Sequence, residues 1–560
     1  MSDTMKSICF EKIIKICLED YYSKGKIFEI DEKHFYRDGN DNRFLLGPAA
    51  GPHTQLAQNI LSAYLTGSRF FELKTVQVVD GKQMQEMIAK PCIDVRNVGY
   101  NVEWSTELTV EDARREYTMA SILLQVMAIE LALSDKKDFV FNISVGYDLK
   151  GIQSKKISDY IDDLKESKDT EIFKECIDIL KRNINKFRKF KLEDIDKISS
   201  QITDTITLST MHGCKATEIL DMGKHLIVNK KMNTFIKCNP TLLGYKNVRD
   251  ILDNLGYNDV IIRKEDFDND LQFNMAKDVI SELLKSGKED NLLVGVKLTN
   301  TLPVYNNRKV LPGESMYMSG KPLYPIAMGV AEKIANAFSG DIHISMSGGI
   351  DKNNVLDVLK TGIAPITFST LLLKPRGYMN TRALLDAVNE AEIICFEKID
   401  VDAISELAKK AKEDINYKNK GDGKILEDKL PIFDCFKNKC GICVDVCPNR
   451  ANIKVCAEGF IAPYQIVHIE NMCNECGNCH VFCTKGGFPY LKKITLFNDL
   501  EEFKDSENSG FLRIDENKFL LRNESKKEYE YEYDSNSNSE KNEIEKLLEA
   551  IVKDYPYLIK

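Results

Sequence analysis

The chain has 560 residues, of which 43% are hydrophobic, and its formal net charge at pH 7 is −9. This length predicts one large domain with one or two smaller ones. The modest negative charge argues against nucleic acid or an anionic membrane as partners, because both select basic surfaces. No secretory signal opens the sequence, and its longest apolar stretch, 119–133, is too short to span a bilayer, so we expect a cytoplasmic protein.

Residues 1–40 are predicted to form a helical N-terminal extension. From 41 to 400, short β-rich runs alternate with helical stretches such as 54–66, 215–228 and 326–338. This alternation predicts parallel strands in an α/β fold, and the number of units fits a (β/α)8 TIM barrel. Nine runs compete for eight strands, so the register between 205 and 298 stays open. The candidate strands are 44–47, 70–76, 139–145, 205–208, 234–238, 260–263, 292–298, 342–346 and 365–369.

Three further segments follow the predicted barrel. Residues 401–429 are expected to form a helical linker, and 430–500 a cysteine-rich domain. Residues 501–560 are predicted to form an acidic tail with short strands and a terminal helix.

Eight of the sixteen cysteines crowd into the segment 435–483. They form two motifs, Cys-x4-Cys-x2-Cys-x3-Cys-Pro and Cys-x2-Cys-x2-Cys-x3-Cys, which predict two [4Fe–4S] clusters in a C-terminal, ferredoxin-like α+β domain. In such motifs the fourth cysteine usually ligates the other cluster. Zinc is the alternative, and the first spacing makes Cys435 the least secure ligand. The two predicted ligand sets are Cys435, Cys440, Cys443 and Cys483, and Cys473, Cys476, Cys479 and Cys447.

Four short motifs lie where predicted barrel strands end, which is where barrel active sites are built. Small residues at 47–52 allow a flat ring or a phosphate to approach the backbone. Lys74 lies in a strand, where a buried lysine needs a ligand or a counter-ion. The turns at 347–349 and 369–370 can offer backbone amides to a phosphate, although each motif alone is weak.

The order of these motifs resembles the FMN barrel of dihydroorotate dehydrogenases and of dihydropyrimidine dehydrogenase, which also carries a two-cluster ferredoxin domain. Longer segments look like the bacterial YgfK-type proteins, a family provisionally named as selenate reductase subunits. The resemblance covers about 10–512. Its most specific segments are GPAAGPHTQLAQN (47–59), FELKTVQ (71–77), PCID (91–94), NVEWSTE (101–107), TLSTMHGC (207–214), NPTLLGY (239–245), VKLTNT (296–301), VDVCPNRAN (444–452) and CNECGNC (473–479).

The resemblance implies FMN as the barrel cofactor, with Lys74 hydrogen-bonded to the flavin ring. Lys237 looks like a second flavin lysine, and Lys297 competes for that role. Cys214 lies where relatives carry a proton donor, with His212 as the alternative acid and a buried structural thiol as the competing interpretation. The implied FMN contacts are Ala49, Ala50, Gly51, Lys74, Thr75, Lys237, Ser347, Gly348, Gly349, Ser369 and Thr370. The implied substrate contacts are Asn239, Lys297, Asn300 and Thr301.

Two functions remain open. The first is an enzyme that passes electrons from the clusters to FMN and reduces a purine- or pyrimidine-like N-heterocycle, since the family is often encoded beside purine-breakdown genes. The second is an electron-transfer subunit of a larger complex, such as a selenate reductase or a molybdenum hydroxylase. Longer members carry an FAD/NAD(P) module where this sequence has only 418–430 and no GxGxxG. We therefore expect a separate electron donor, a ferredoxin or a flavoprotein subunit, and a homo- or hetero-oligomer is compatible with the sequence.

Overall fold

The computed structural model describes residues 5–37, 41–210, 212–389, 398–421, 426–435, 440–534 and 540–559. The chain divides into two compact units. One unit comprises Tyr36–Leu372 and Met379–Asp422, and the other comprises Met1–Phe35, Leu373–Tyr378 and Gly423–Lys560. We call them the barrel unit and the cysteine unit.

The barrel unit is built on eight parallel strands, numbered here β1 to β8 in chain order. Around the sheet the spatial order is β1–β8–β7–β6–β5–β4–β3–β2, which is the order of a (β/α)8 barrel. At the remaining seam the N–H of Arg69 donates to the carbonyl of Leu46 at 3.2 Å, so the barrel is nearly closed. The strands are Leu46–Pro48, Phe70–Glu72, Val140–Tyr147, Thr205–Thr210, Asn233–Cys238, Val294–Leu298, His343–Met346 and Ile366–Phe368.

The structure resolves the competition among the nine candidate strands. The run 260–263 is not a barrel strand, because Ile261 forms only an isolated bridge with Tyr305 outside the barrel. Strands β5 and β6 are therefore neighbours, and Lys237 and Lys297 lie opposite each other in register.

Helices surround this sheet and bury its outer face. Val110–Glu130 is the longest, and it begins where the hydroxyl of Thr109 accepts a hydrogen bond from the N–H of Asp112, which caps the helix. The other helices of this unit are Ala57–Leu65, Lys82–Met87, Leu149–Ile152, Lys155–Lys165, Glu171–Arg182, Leu192–Ile195, Ala216–Lys224, Tyr245–Asn254, Lys264–Asn269, Phe273–Glu289, Leu323–Ala337, Val355–Lys360, Asn380–Asn389 and Val401–Ala411. A separate four-stranded sheet pairs Leu302–Tyr305, Ser315–Ser319, Gly99–Asn101 and Ile93–Asp94 in that order.

The cysteine unit contains a six-stranded mixed sheet whose strands follow one another in chain order. Its strands are Asn452–Val455, Gln465–Ile469, Ile494–Phe497, Gly510–Arg513, Lys518–Arg522 and Glu528–Glu532. A two-stranded hairpin pairs Lys26–Ile27 with Ile30–Asp31. The helices are Phe10–Lys24, Ile442–Asp445, Asn478–Val481, Pro489–Lys492, Leu500–Asp505 and Glu543–Asp554.

These units divide the chain differently from the expected boundaries. The helix Val401–Ala411, expected as part of a linker, buries Ile404, Ala408 and Ala411 in the core of the barrel unit. The strand Gly510–Arg513, expected in a tail, pairs with Ile494–Phe497 inside the six-stranded sheet. Residues 422–425 of the expected linker lie outside the described part of the chain. Within that described part, no helix is both long enough and apolar enough to cross a bilayer.

Candidate functional site

Most of the predicted barrel residues lie just beyond the carboxyl ends of the strands. Every predicted barrel site residue except Lys237 and Lys297 lies one to four positions past the end of a strand. The strands concerned are β1, β2, β4, β5, β6, β7 and β8. Parallel strands end at the same face of a barrel, so seven strands deliver these side chains to one rim. The two exceptions lie inside strands β5 and β6.

A buried ionic layer crosses the barrel interior beneath this rim. The carboxylate of Glu72, on β2, lies 2.8 Å from Nζ of Lys297 and 3.3 Å from Nζ of Lys237. Nζ of Lys297 also donates to Oγ1 of Thr367 at 2.7 Å and to Oγ of Ser345 at 3.2 Å. Glu72 and Lys297 are completely buried, so Lys297 is enclosed by protein groups, whereas Lys237 retains slight exposure.

The electrostatics of this layer favour a charged glutamate. Burial alone would raise the pKa of Glu72, but the charges of Lys237 and Lys297 outweigh burial and lower that pKa to about 2. Burial lowers the pKa of Lys297, and Glu72 opposes that effect. Two lysines thus share one carboxylate in a space from which water is largely excluded.

Lys74 lies at an irregularity in the second strand. The N–H groups of Leu73 and Val76 donate to the carbonyls of Asn142 and Ser144 on β3, at 2.9 Å in both cases. Three residues on one strand therefore match two on its neighbour, which is a bulge and explains why the expected strand 70–76 is regular only to residue 72. Nζ of Lys74 lies 3.2 Å from Oε1 of Glu103, and both side chains are buried.

The predicted small-residue turns approach one another closely. The N–H of Ala49 donates to the carbonyl of Phe368 at 3.1 Å, and a Cβ at Gly51 would lie 2.7 Å from Oγ of Ser369. The turns after β1 and β8 are therefore adjacent. Gly349 has φ +63°, and a Cβ there would lie 2.5 Å from the carbonyl oxygen of Gly320.

Four further predicted rim residues, Thr370, Ser347, Gly348 and Thr75, make contacts within the barrel unit. Thr370 shares a hydrogen bond of 2.9 Å with Ser319. Ser347 follows β7, and its hydroxyl approaches the carbonyl of Thr299 at 3.5 Å. Gly348 packs closely on Ala327, because a Cβ at Gly348 would lie 3.0 Å from that methyl group. Thr75 shares a hydrogen bond of 2.9 Å with Ser144.

Asp270 organises the part of the rim that follows β4, β5 and β6. Its buried carboxylate accepts hydrogen bonds from Nδ1 of His212 at 2.7 Å, from Oγ1 of Thr241 at 2.6 Å and from Nδ2 of Asn239 at 2.9 Å. Asn239 in turn accepts a hydrogen bond of 2.6 Å from Nδ2 of Asn300. The network therefore brings together three predicted site residues, His212, Asn239 and Asn300.

Cys214 and Thr301 lie outside this network. Sγ of Cys214 lies 3.6 Å from Oε2 of Glu218, and burial together with that carboxylate raises the pKa of the thiol to about 12. Thr301 is half-buried beside Asn300. A small cavity lies between the end of β5 and the helices Ala216–Lys224 and Phe273–Glu289. Its lining includes Lys237, Asn239 and Asp270.

Sequence reasoning missed Glu72 and Asp270. One feature of the sequence could have indicated Glu72: it is a charged residue inside an apolar strand, two positions before Lys74. Asp270 left none, because it lies in the polar stretch FDNDLQF (267–273), where an acidic residue is ordinary. Its partners His212 and Asn239 are 58 and 31 residues away in the chain.

We call the two ligand sets predicted from the motifs the first cysteine group (Cys435, Cys440, Cys443 and Cys483) and the second cysteine group (Cys447, Cys473, Cys476 and Cys479). Burial raises the pKa of Cys443, and Cys435, Cys440 and Cys483 raise it further. Burial likewise raises the pKa of Cys473, with added effects from Cys447, Cys479 and Cys476. Burial also raises the pKa of Cys479, with added effects from Cys447, Cys476 and Cys443, so the electrostatic influence crosses between the two groups. The membership of the two groups stays a prediction from the motifs.

Four thiols in each group are a suitable donor set for a [4Fe–4S] cluster, whose cube spreads its ligands farther apart than a single ion does. Among the described residues, no group of three or more His, Cys, Asp or Glu side chains is arranged to hold a metal ion. Residues 436–439, between the first two cysteines of the first motif, lie outside the described part of the chain.

The rim has features that fit a flavin. Oγ1 of Thr299, at the end of β6, is buried and has no hydrogen-bond partner in the described chain. Such a group is costly unless a ligand satisfies it. At Gly51 and Gly349, in the turns after β1 and β7, a Cβ would lie 2.7 Å from Oγ of Ser369 and 2.5 Å from the carbonyl oxygen of Gly320, so both close approaches require glycine.

Comparisons with known proteins agree with this architecture. The family described as "Oxidoreductase YgfK, N-terminal TIM-barrel domain" matches residues 23–420. The provisionally named oxidoreductase YgfK of Escherichia coli strain K12 is 38% identical over 465 residues, and so is its counterpart in Escherichia coli O157:H7. The match covers 79% of this chain and 45% of each relative, so the chain spans about half their length.

Among solved structures, ligand-free DHODH from Eimeria tenella matches with a TM-score of 0.39 and 14% identity, over 66% of this chain and 94% of that one. The barrel assignment rests on the strand order and on the family match, which extends over most of the chain. This chain belongs to the YgfK family of oxidoreductases and contains the TIM-barrel domain of that family.

Proposed function

We propose that this chain is an iron–sulfur flavoprotein oxidoreductase whose barrel binds FMN and a purine- or pyrimidine-like N-heterocycle. Electrons enter through two [4Fe–4S] clusters held by the cysteine unit. A separate protein, a ferredoxin or a flavoprotein subunit, supplies these electrons. Because the relatives are about twice as long as this chain, their whole activity is not carried over to it.

The observation that carries this proposal is the common rim. Seven of the eight strands end in residues suited to binding a flavin or an amide-rich ring. Barrel enzymes build their active sites at this face, whereas residues that only stabilise the barrel have no reason to gather there. The YgfK match supplies the oxidoreductase class independently of this geometry.

Each group at the rim has a distinct chemical task in this proposal. Lys74, paired with Glu103, places a cation where negative charge develops on a bound ring. Asn239 and Asn300 are linked amides that suit the N–H and C=O edge of an N-heterocycle. The turns after β1, β7 and β8 would hold the flavin phosphate through backbone amides.

The cofactors supply the electron chemistry: clusters transfer single electrons, and FMN converts them into a two-electron reduction. The protein contributes binding, orientation and the exchange of protons. In the cysteine unit, Cys435, Cys440, Cys443 and Cys483 would hold one cluster. The other cluster would be held by Cys447, Cys473, Cys476 and Cys479.

The test begins with anaerobic preparation and a count of FMN and iron per chain. The protein is then reduced with dithionite, freed from excess reductant and mixed with xanthine, hypoxanthine or uracil. Reoxidation of the flavin by one of these rings is the expected result. Reoxidation only after a partner protein is added would favour the electron-transfer subunit, and the absence of bound flavin would contradict the proposal.

A matched pair of variants links the reaction to the rim. Asn300→Ala removes one amide of the linked pair and should slow reoxidation by the ring by at least tenfold. Asn353→Ala removes an exposed asparagine from a turn and should leave the rate unchanged. Equal rates in the two variants would place the substrate elsewhere.

A further inference from the structure

The hydrogen bonds around Asp270 can be oriented without ambiguity. Asp270 lies between the helices Lys264–Asn269 and Phe273–Glu289, and its side chain is buried. Burial acts to raise its pKa, but hydrogen bonds from His212, Thr241 and the Gly213 N–H outweigh this and lower it. Asp270 is therefore a carboxylate, which only accepts hydrogen bonds.

That property fixes the amides of the network. Asn239 must turn its NH2 group towards Asp270, so its oxygen faces Asn300. Asn300 donates to this oxygen and to the carbonyl of Thr210, which is also only an acceptor. Neither amide can be flipped without setting two acceptors against each other.

The same property fixes His212. Its Nδ1 faces the carboxylate at 2.7 Å, so Nδ1 must carry a hydrogen. In the neutral ring the other nitrogen, Nε2, is then an acceptor, and in the charged ring it is a donor. No described residue makes a hydrogen bond to Nε2. The ring stacks beside Tyr317, with centroids 6.4 Å apart and planes inclined by 17°.

Cys214 is less suited than His212 to exchange a proton with a bound ring. Its thiol lies against the carboxylate of Glu218, and its pKa is raised to about 12. A thiol held this firmly in its protonated form gives up a proton reluctantly near neutral pH. His212 retains 24% side-chain exposure, so solvent can restore a proton to it.

We propose that Asp270 is a positioning residue that fixes the tautomer and direction of His212, and that His212 Nε2 exchanges the proton with the bound ring. This inference rests on the proposed function of the rim. In the step, the acid is the charged imidazolium, which carries hydrogen on both nitrogens. Its Nε2–H bond breaks, the electron pair stays on the ring, the proton moves to a ring atom of the substrate, and the neutral ring keeps its hydrogen on Nδ1. Solvent then returns a proton to Nε2, while Asp270 remains a carboxylate throughout.

The first test measures the tautomer and needs neither cofactor turnover nor substrate. Nitrogen-15 spectra of labelled histidines would be recorded at about pH 8, where an ordinary histidine is neutral. The His212 signals are assigned by their loss in His212→Gln. We expect hydrogen on Nδ1 in the native protein and a shift towards hydrogen on Nε2 in Asp270→Asn. Asp268→Asn, an exposed acid two residues upstream, is the control and should keep the native tautomer.

The second test measures reoxidation of the reduced, flavin-loaded protein by the ring that supports the proposed function. Asp270→Asn and His212→Gln should each slow it by about a hundredfold or more, as expected for loss of a general acid. Cys214→Ala should cost less than His212→Gln. The reverse order, or a native tautomer in Asp270→Asn, would overturn the inference. If no tested ring reoxidises the flavin of the native protein while the spectra show hydrogen on Nδ1 of His212, the proposed function is contradicted. The positioning of His212 by Asp270 then still stands.

Discussion

In the barrel interior, Oε2 of Glu72 lies 2.8 Å from Nζ of Lys297, and neither side chain is exposed to solvent. Lys237 shares the same carboxylate at 3.3 Å. A buried charge is tolerated only where a partner offsets the loss of hydration. Glu72 is therefore the residue on which the charge balance of the barrel interior depends.

We expect Glu72→Gln to destabilise the barrel unit by about 3–5 kcal/mol, because it leaves two buried lysines without their counter-ion. The free energy of unfolding, measured by urea denaturation of the cofactor-free protein, checks this. The control is Asp250→Asn, which removes an exposed ion pair with Lys246 and should cost about 0–1 kcal/mol. Similar losses in both variants would show that the buried pair has no special weight.

The lowered pKa of Glu72 predicts a pH dependence with a definite sign. Its value is about 2 in the folded chain against an ordinary 4.5, so the folded state favours the ionised carboxyl. The resulting stability is fully present above about pH 4.5 and is lost as pH falls towards 2. The stability difference between the native protein and Glu72→Gln should therefore narrow over this range. A difference that is constant from pH 6 to pH 3 would contradict the assignment.

The sequence predicted the barrel because strand and helix signals alternate strongly, but it could not choose among nine strand candidates. The run 260–263 is short and apolar like a true strand, and only its partners show that it lies outside the barrel. The ion pairs of Glu72 with Lys237 and Lys297 could not be predicted, for the same reason. Glu72 precedes Lys74 by two residues yet pairs with lysines 165 and 225 positions away, and this depends on strand register.

The candidate site was accessible to sequence reasoning where a motif follows a strand, as with Asn239 and Asn300. Asp270 was inaccessible because it sits between two helices, and nothing in its local pattern marks it. The spacing of the motif cysteines predicts the two cysteine groups, because closely spaced ligands constrain one another within a single short segment, and this stays a prediction.

Flavin binding should depend on the turn after β7. Gly349→Ala adds a Cβ that would lie 2.5 Å from the Gly320 carbonyl oxygen, at a φ of +63°. We expect FMN affinity to fall by at least tenfold, measured by the recovery of flavin fluorescence on release. Gly421→Ala is the matched control, because Gly421 also has a positive φ of +74° but has no atom within 4 Å of the added Cβ. Protein that retains FAD in preference to FMN would contradict the proposed phosphate site.

Iron content tests the cysteine groups. The native protein prepared anaerobically should contain about eight irons per chain, and Cys476→Ser should contain about four. Cys456→Ser changes an exposed cysteine outside both motifs and should retain the native iron content. Stoichiometric zinc without cluster absorbance would replace the cluster assignment.

Lys493 is almost fully buried beside Cys435, a member of the first cysteine group. Its Nζ donates to the carbonyls of Pro431 and Ile432 at 2.6 and 2.7 Å, which holds it in place. Burial raises the pKa of Cys435, and Lys493 opposes this by lowering it. A fixed cation near the thiolates should also favour the more negative, reduced form of a cluster bound there, because charge and hydrogen bonds at the sulfurs set cluster potentials.

Lys493→Met should therefore lower the midpoint potential of one cluster and leave the other nearly unchanged. Anaerobic redox titration followed by electron paramagnetic resonance resolves the two clusters. Lys492→Met is the control, because the neighbouring Lys492 is exposed and faces Asp428 at 3.9 Å, so it should leave both potentials unaltered. Equal shifts of both clusters in Lys493→Met would mean that Lys493 acts through the fold of the unit and not through its charge. If neither midpoint potential changes in Lys493→Met, the charge of Lys493 does not influence the first cluster.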